Sequence, residues 1–179
     1  MPLQVVFPLN NTLIKMQIKR FKMLRRCSVL RELLSNRPHV EKLWEFVDRV
    51  LKQKGDEIEF IVLYGSMAKG NWSVGSDYDV LIGLCIDDGK RFIDRLYDYS
   101  LFTSAPIDIF AYSQPEIDLM FKNFHLTLLE SLNHGIVLFD RGRWAEMQKQ
   151  FKEWKTSGVI EQIPVGWRFK KEQGNTRDN

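Results

Sequence analysis

A chain of 179 residues is long enough for one domain with its own core, or for a compact domain carrying an appendage. Its 44% hydrophobic and 27% charged content is that of an ordinary globular protein, and no run approaches the roughly 18 apolar residues of a membrane span. Two cysteines, Cys27 and Cys85, lack CxxC spacing, which argues against a disulfide framework or a zinc site and fits a reducing cytoplasm.

The opening MPLQVVFPLNN has no basic n-region and no small-residue cleavage site, so no signal peptide is expected. The formal charge of +3 is mild but unevenly placed. Lys15, Lys19, Arg20, Lys22, Arg25, Arg26 and Arg31 fall together without an acidic residue among them, leaving the remainder net acidic. Such a cluster suits an anionic partner, nucleic acid or an acidic protein surface, and equally a solvated helix face. Its helix is predicted over 13–34, where Ile14, Ile18, Phe21, Leu24, Cys27, Leu30 and Leu34 recur every three or four residues. Pro38 in SNRPH breaks the pattern. A second helix follows, with Val40, Leu43, Trp44, Val47, Val50 and Leu51 on one face and Gly55 as a left-handed cap.

From Ile58 strands and helices alternate. Strands are predicted at 58–64, 78–84 and 107–112, with a short helix opening at Ser66 and another helix near 90–99. Gln114 to Asn133 reads as one amphipathic helix with Ile117, Met120, Phe121, Phe124, Leu128 and Leu132 facing inward. Gly135 stops it, and IVLFD (136–140) forms one more strand. Residues 143–156 make a last helix with Trp144, Met147, Phe151 and Trp154 as its seam. The tail from Glu161 is polar, apart from a VGWRF cluster able to dock back onto the body. The fold class is therefore α/β, one sheet flanked by helices.

Chemistry concentrates in FIVLYGSMAKGNWSVGSDYDVLIGL, positions 60–84. Gly65 and Ser66 fall where a strand gives way to a helix; glycine admits close backbone approach, and helix N–H groups with a serine hydroxyl attract phosphate, although Gly-Ser is also a common turn. Asp77 and Asp79, one residue apart, project to one face of a strand, where they repel. A hard divalent cation removes that conflict, and Asp-x-Asp also occurs in solvated turns, calcium loops and sugar-nucleotide transferases. PIDIF sets Asp108 between two isoleucines of another strand, an awkward place for a charge without a partner. If the two strands are neighbours, three carboxylates converge, a set able to hold two Mg²⁺ ions, with Asp108 best placed to take a hydroxyl proton.

YGSMAKGNWSVGSDYDVLI resembles the signature of the minimal nucleotidyltransferases of the DNA polymerase beta superfamily. That pattern is an apolar residue, Gly-Ser, about ten residues, Asp-x-Asp in an apolar strand, and a third carboxylate on a later strand; Gly65, Ser66, Asp77, Asp79 and Asp108 match it. The resemblance covers roughly 58–139, since LESLNHGIVLFD is similar to the closing helix and strand of such proteins. It implies a mixed sheet of nucleotidyltransferase type with an N-terminal helical extension, organised as 1–55, 56–140 and 141–179. It also implies transfer of a nucleoside monophosphate from ATP or another nucleoside triphosphate, with Gly65 and Ser66 holding phosphates and Asp77, Asp79 and Asp108 ligating Mg²⁺. Many relatives carry Ala-Arg-Gly where this chain has Ala68-Lys69-Gly70, so a point charge replaces a bidentate fork at the expected nucleotide-binding Lys69.

The resemblance leaves three readings of function. One is an antitoxin that adenylylates a HEPN-type toxin partner on a hydroxyl. Another is an enzyme that adds nucleotides to RNA or tRNA held by the basic N-terminal cluster. The last is a pseudoenzyme that only binds a partner. His39, His125 and His134 share no ligand spacing and read as structural, as does Cys85. Trp72, between the motif halves, can either stack on a base or pack.

Overall fold

The computed structural model describes residues 29–170. The chain divides into two compact units, Met1–Val40 and Glu41–Asn179. The expected joints at 55/56 and 140/141 both fall within the second. In the first, residues 29–34 are helical and give way to a turn in which His39 takes a φ of 57°. The rest of the helix predicted over 13–34, and every cation of the basic cluster except Arg31, lie outside the described residues.

Helix α1 (Val40–Lys54) buries Leu43, Trp44, Phe46, Val47 and Val50, close to the predicted stripe. Gly55 is not a left-handed cap: it opens a single 3₁₀ turn, Gly55–Glu57, without a positive φ. The turn is used differently, because the Glu57 carbonyl accepts the N–H of Cys85 and so ties the entry of the first strand to the exit of the second. The following elements are β1 (Ile58–Tyr64), α2 (Gly65–Lys69), β2 (Tyr78–Leu84), α3 (Phe92–Ser100), β3 (Ile107–Tyr112), α4 (Gln114–Lys122), α5 (Leu126–His134), β4 (Ile136–Asp140) and α6 (Arg143–Thr156). The chain closes on a hairpin of β5 (Ile160–Ile163) and β6 (Gly166–Phe169).

Four strands form one sheet in the order β3-β2-β1-β4. Strand β1 runs antiparallel to both neighbours, whereas β2 and β3, joined through α3, are parallel. One face carries Phe60, Val62 and Leu81, packed under Ile117 and Met120 of α4, Leu128, Leu129 and Leu132 of α5, and Trp144, Met147 and Phe151 of α6. The rings of Phe60 and Trp144 lie 4.8 Å apart. The opposite face, with Ile61, Leu63, Val80, Ile82 and Ala111, is equally buried. Helix α3 lies along β3 on that side, and α1 is linked to it by Arg49 Nη1 donating to the Phe102 carbonyl and by Lys54 over the Tyr99 ring. Each large apolar side chain buried this way stabilises the fold by about 1.5–3 kcal/mol.

One further expectation is corrected. The helix predicted over 114–133 is two helices, because Phe124 takes a left-handed φ of 52° between α4 and α5. That conformation costs a non-glycine residue about 1–2 kcal/mol. It is offset by aromatic contacts: Phe124 stacks on Phe169 at 5.2 Å and meets Trp154 edge-on at 4.9 Å. Of the tail from Glu161, residues up to 170 are described, and their hairpin docks through Trp167 onto Phe151. The docking expected of the VGWRF cluster is present.

A buried cation holds the far end of the parallel pair. Arg95 of α3, 2% exposed, contacts Asp88 at 3.2 Å and Glu116 at 2.7 Å and donates to the carbonyls of Ala111 and Lys90. Glu116 in turn accepts the N–H of Ser113, closing the cap that starts α4.

Candidate functional site

Each carboxylate of the motif stands where a strand begins. Asp79 is the second residue of β2 and Asp108 the second of β3, and the parallel register sets them opposite one another. Directly opposed residues on neighbouring strands point to the same face, so the two carboxylates are neighbours. On its other side Asp79 pairs with Tyr64, the last residue of β1. Tyr64, Asp79 and Asp108 therefore form one row across three strands, immediately beyond the row of buried Val62 and Leu81 and half-buried Phe110.

Asp79 is half-buried, whereas Asp77 and Asp108 are exposed. The expected awkward burial of Asp108 is not found, because β3 is an edge strand and Asp108, unlike its flanking isoleucines, is exposed. Asp77 precedes the first residue of β2 and remains close enough to act on Asp79 electrostatically. Burial, then the charge of Asp108, then that of Asp77 push the Asp79 carboxyl above the usual aspartate range. Burial is also the main cause that keeps the Tyr64 hydroxyl protonated, followed by the charges of Asp79, Tyr112 and Asp108. Tyr64 was not singled out in the sequence, although it is the residue that opens the Gly-Ser motif.

Gly65 is fixed at this position by two independent constraints. Its φ of 69° is left-handed, and a Cβ placed on it would come 2.0 Å from Oδ2 of Asp79. The bend and the carboxylate row are thus in van der Waals contact. Helix α2 is a little over one turn, ends at Gly70 with φ 84°, and opens at Gly65 where Ser66 was expected. Ser66 and Lys69 are three residues apart on it and so share a side, with about 5–6 Å between their Cβ atoms.

The ammonium of Lys69 sits 2.8 Å from Oε2 of Glu130 on α5, and the Trp167 indole donates to the other oxygen of the same carboxylate at 2.9 Å. Burial pushes Glu130 up, but hydrogen bonds from Lys69 and Trp167, aided by the charges of Lys69 and His134, hold its carboxyl below the usual range. The structure therefore seats Lys69 on Glu130 rather than on the aspartates. Glu130 lies on a polar helix face and gave no sign in the sequence.

The donor set suits a hard divalent cation: every member offers carboxylate oxygens, and one is driven toward its neutral form by burial and by the charges of its neighbours. Among the described residues, however, no group of three or more His, Cys, Asp or Glu side chains is gathered as a metal cage. The expected convergence of three is thus two carboxylates in register with a third at the threshold of the strand. Two of the site's three carboxylates, Asp77 and Asp108, are exposed. A cavity of about 780 Å³ is lined by Arg49, Lys52, Lys54 and Phe102, and another of about 400 Å³ by Cys85, Asp118, Arg141 and Arg143, and neither borders the aspartates.

A row of acidic residues beside a glycine bend is the arrangement that the motif resemblance implies. A family model described as "Polymerase beta, Nucleotidyltransferase" matches residues 45–143, more than half of the chain, and the protein belongs to that family. Among curated proteins none matches. Several solved structures are similar in outline. One, a nucleotidyltransferase candidate from Sulfolobus solfataricus, is 19% identical with a TM-score of 0.41, covering 77% of this chain and 96% of its own. Another is a toxin–antitoxin with AMP-PNP, 12% identical with a TM-score of 0.43, covering 63% of this chain and 86% of its own. A mutant of the toxin–antitoxin MntA–HpeT is 12% identical with a TM-score of 0.42, covering 62% and 84% respectively. Among the described residues no helix is long and apolar enough to cross a membrane.

Proposed function

We propose that this nucleotidyltransferase transfers AMP from ATP to a hydroxyl on a protein partner, with Asp77, Asp79 and Asp108 as the catalytic carboxylates. The observation that carries the reading is the register of Asp79 with Asp108, in contact through Asp79 with the bend at Gly65. Asp79 and Asp108, with Asp77 beside them, would hold two Mg²⁺ ions, which when bound offset the charge developing on the transferred phosphoryl group. Gly65, with its left-handed φ and no Cβ, brings the backbone bend against Asp79 where the triphosphate would bind, and Ser66 offers a hydroxyl to its β and γ phosphates. The acceptor oxygen bonds to the α-phosphorus, the bond to the bridging oxygen breaks, and that electron pair leaves on pyrophosphate. Asp108, the exposed member, takes the hydroxyl proton.

The exposure of Asp77 and Asp108 suits a large acceptor such as a protein, since a small molecule is ordinarily enclosed in a pocket. A toxin of HEPN type is the partner that the motif resemblance suggests. Incubation with α-labelled ATP, Mg²⁺ and a co-purified partner tests this: label is expected on the partner and is lost in Asp79→Asn and Asp108→Asn. Absence of transfer from every nucleoside triphosphate, with the wild-type protein folded, overturns the catalytic reading. Partner control that survives Asp79→Asn unaltered leaves a purely binding role.

A further inference from the structure

The salt bridge between Lys69 and Glu130 joins a residue of the nucleotide-binding motif to a carboxylate 61 positions away. We propose that Glu130 is a positioning residue, the resting seat from which the Lys69 ammonium passes to the triphosphate of the donor nucleotide. This rests on the reading of the Gly65 bend as a triphosphate site and adds the device that controls its cation.

Three observations bear on it. Lys69 and Ser66 lie one turn apart on the same side of α2, so phosphate at the serine hydroxyl falls within the sweep of the lysine stem. The ion pair is partly exposed, with side-chain accessibilities of 36% and 26%, so solvent weakens it and it yields readily to a more highly charged partner. Glu130 is not left alone when the ammonium departs, because Trp167 of β6 still donates to its other oxygen at 2.9 Å. That second donor separates this arrangement from a simple surface pair: the hairpin holds the carboxylate in place whether or not lysine is on it. A triphosphate must therefore compete with Glu130 for Lys69, and a monophosphate, lacking the distal phosphates, does not engage the competition.

The test is calorimetric titration of the whole protein with ATP and with AMP, both in the presence of Mg²⁺. Glu130→Gln discharges the seat but keeps an amide oxygen for Trp167. It is expected to tighten ATP binding about three-fold, the scale of a partly exposed ion pair, and to leave AMP unchanged. Lys69→Gln is expected to weaken ATP about five-fold, again sparing AMP, and adding Glu130→Gln to it is expected to change nothing further. A merely structural pair would not alter the ATP-to-AMP ratio. The proposal is overturned if Glu130→Gln shifts both nucleotides equally, weakens ATP, or acts the same with and without Lys69. If wild-type protein binds neither nucleotide, the reading of the site fails, and the proposal fails with it. If wild type binds ATP but the ratio does not move, only the proposal fails.

Discussion

Replacing Gly65 with alanine probes the contact between the bend and the carboxylate row. Two costs are expected. The left-handed φ of 69° penalises any Cβ by about 1–2 kcal/mol, less about 0.4–1 kcal/mol returned by the stiffer unfolded chain. The new methyl would also come 2.0 Å from Oδ2 and 2.9 Å from Cγ of Asp79, an overlap that forces the side chain aside at about 1–3 kcal/mol. The two costs separate in a double-mutant cycle with Asp79→Ala. Truncating Asp79 leaves only its Cβ, 3.3 Å from the added methyl, which a shift of a few tenths of an ångström accommodates. Urea unfolding of the four proteins should thus show Gly65→Ala costing about 2–4 kcal/mol in wild type and about 1 kcal/mol beside Asp79→Ala. Transfer activity should fall about 100-fold in Gly65→Ala alone, because displacement of Asp79 by about an ångström breaks its alignment with Asp108. Costs additive to within about 0.5 kcal/mol would refute the contact on which the site is built.

Asp79→Asn should stabilise the protein while abolishing transfer. Its folded pKa lies above the unfolded value, so ionisation costs stability above the folded pKa and costs nothing below the unfolded one; melting curves should show an advantage at pH 7 that shrinks toward pH 4. Arg95→Met strips a buried cation from Asp88 and Glu116 and should cost about 3–5 kcal/mol in chemical unfolding, without touching the carboxylate row. RNA binding decides between acceptors: with a protein acceptor, RNA affinity should be weak and flat with salt. Phosphate contacts through the basic N-terminal cluster would instead give a log–log slope of about −0.7 for each phosphate.

The four strands of the sheet were legible because their signals are local. Apolar runs bounded by turn residues mark β1, β2 and β3, whereas Asp77, expected to share a strand face with Asp79, precedes the first residue of β2. What escaped was set by distant partners. Nothing near Phe124 announces a left-handed residue; the break follows from Phe169 and Trp154, which are far along the chain. Arg95 reads as a surface cation of α3 until Asp88 and Glu116 close around it. Glu130 has no local mark at all, and only the fold brings Lys69 and Trp167 to its two oxygens. The burial of Asp108 was overestimated because its flanking isoleucines face the core while Asp108 itself looks outward from an edge.

One parallel pairing in an otherwise antiparallel sheet explains why the aspartates meet. Neighbours joined by a hairpin begin at opposite ends, so the second residue of one would face the tail of the other. Because α3 carries the chain back before β3 starts, β2 and β3 begin at the same end and their second residues, Asp79 and Asp108, come into register. Strand β1, antiparallel to β2, contributes its closing residue to that same end, and with it the bend at Gly65. Two strand starts and one strand finish are what place like charges beside a backbone turn. A circular permutation or loop change that preserved every strand but lost that crossover would keep the core and scatter the carboxylates.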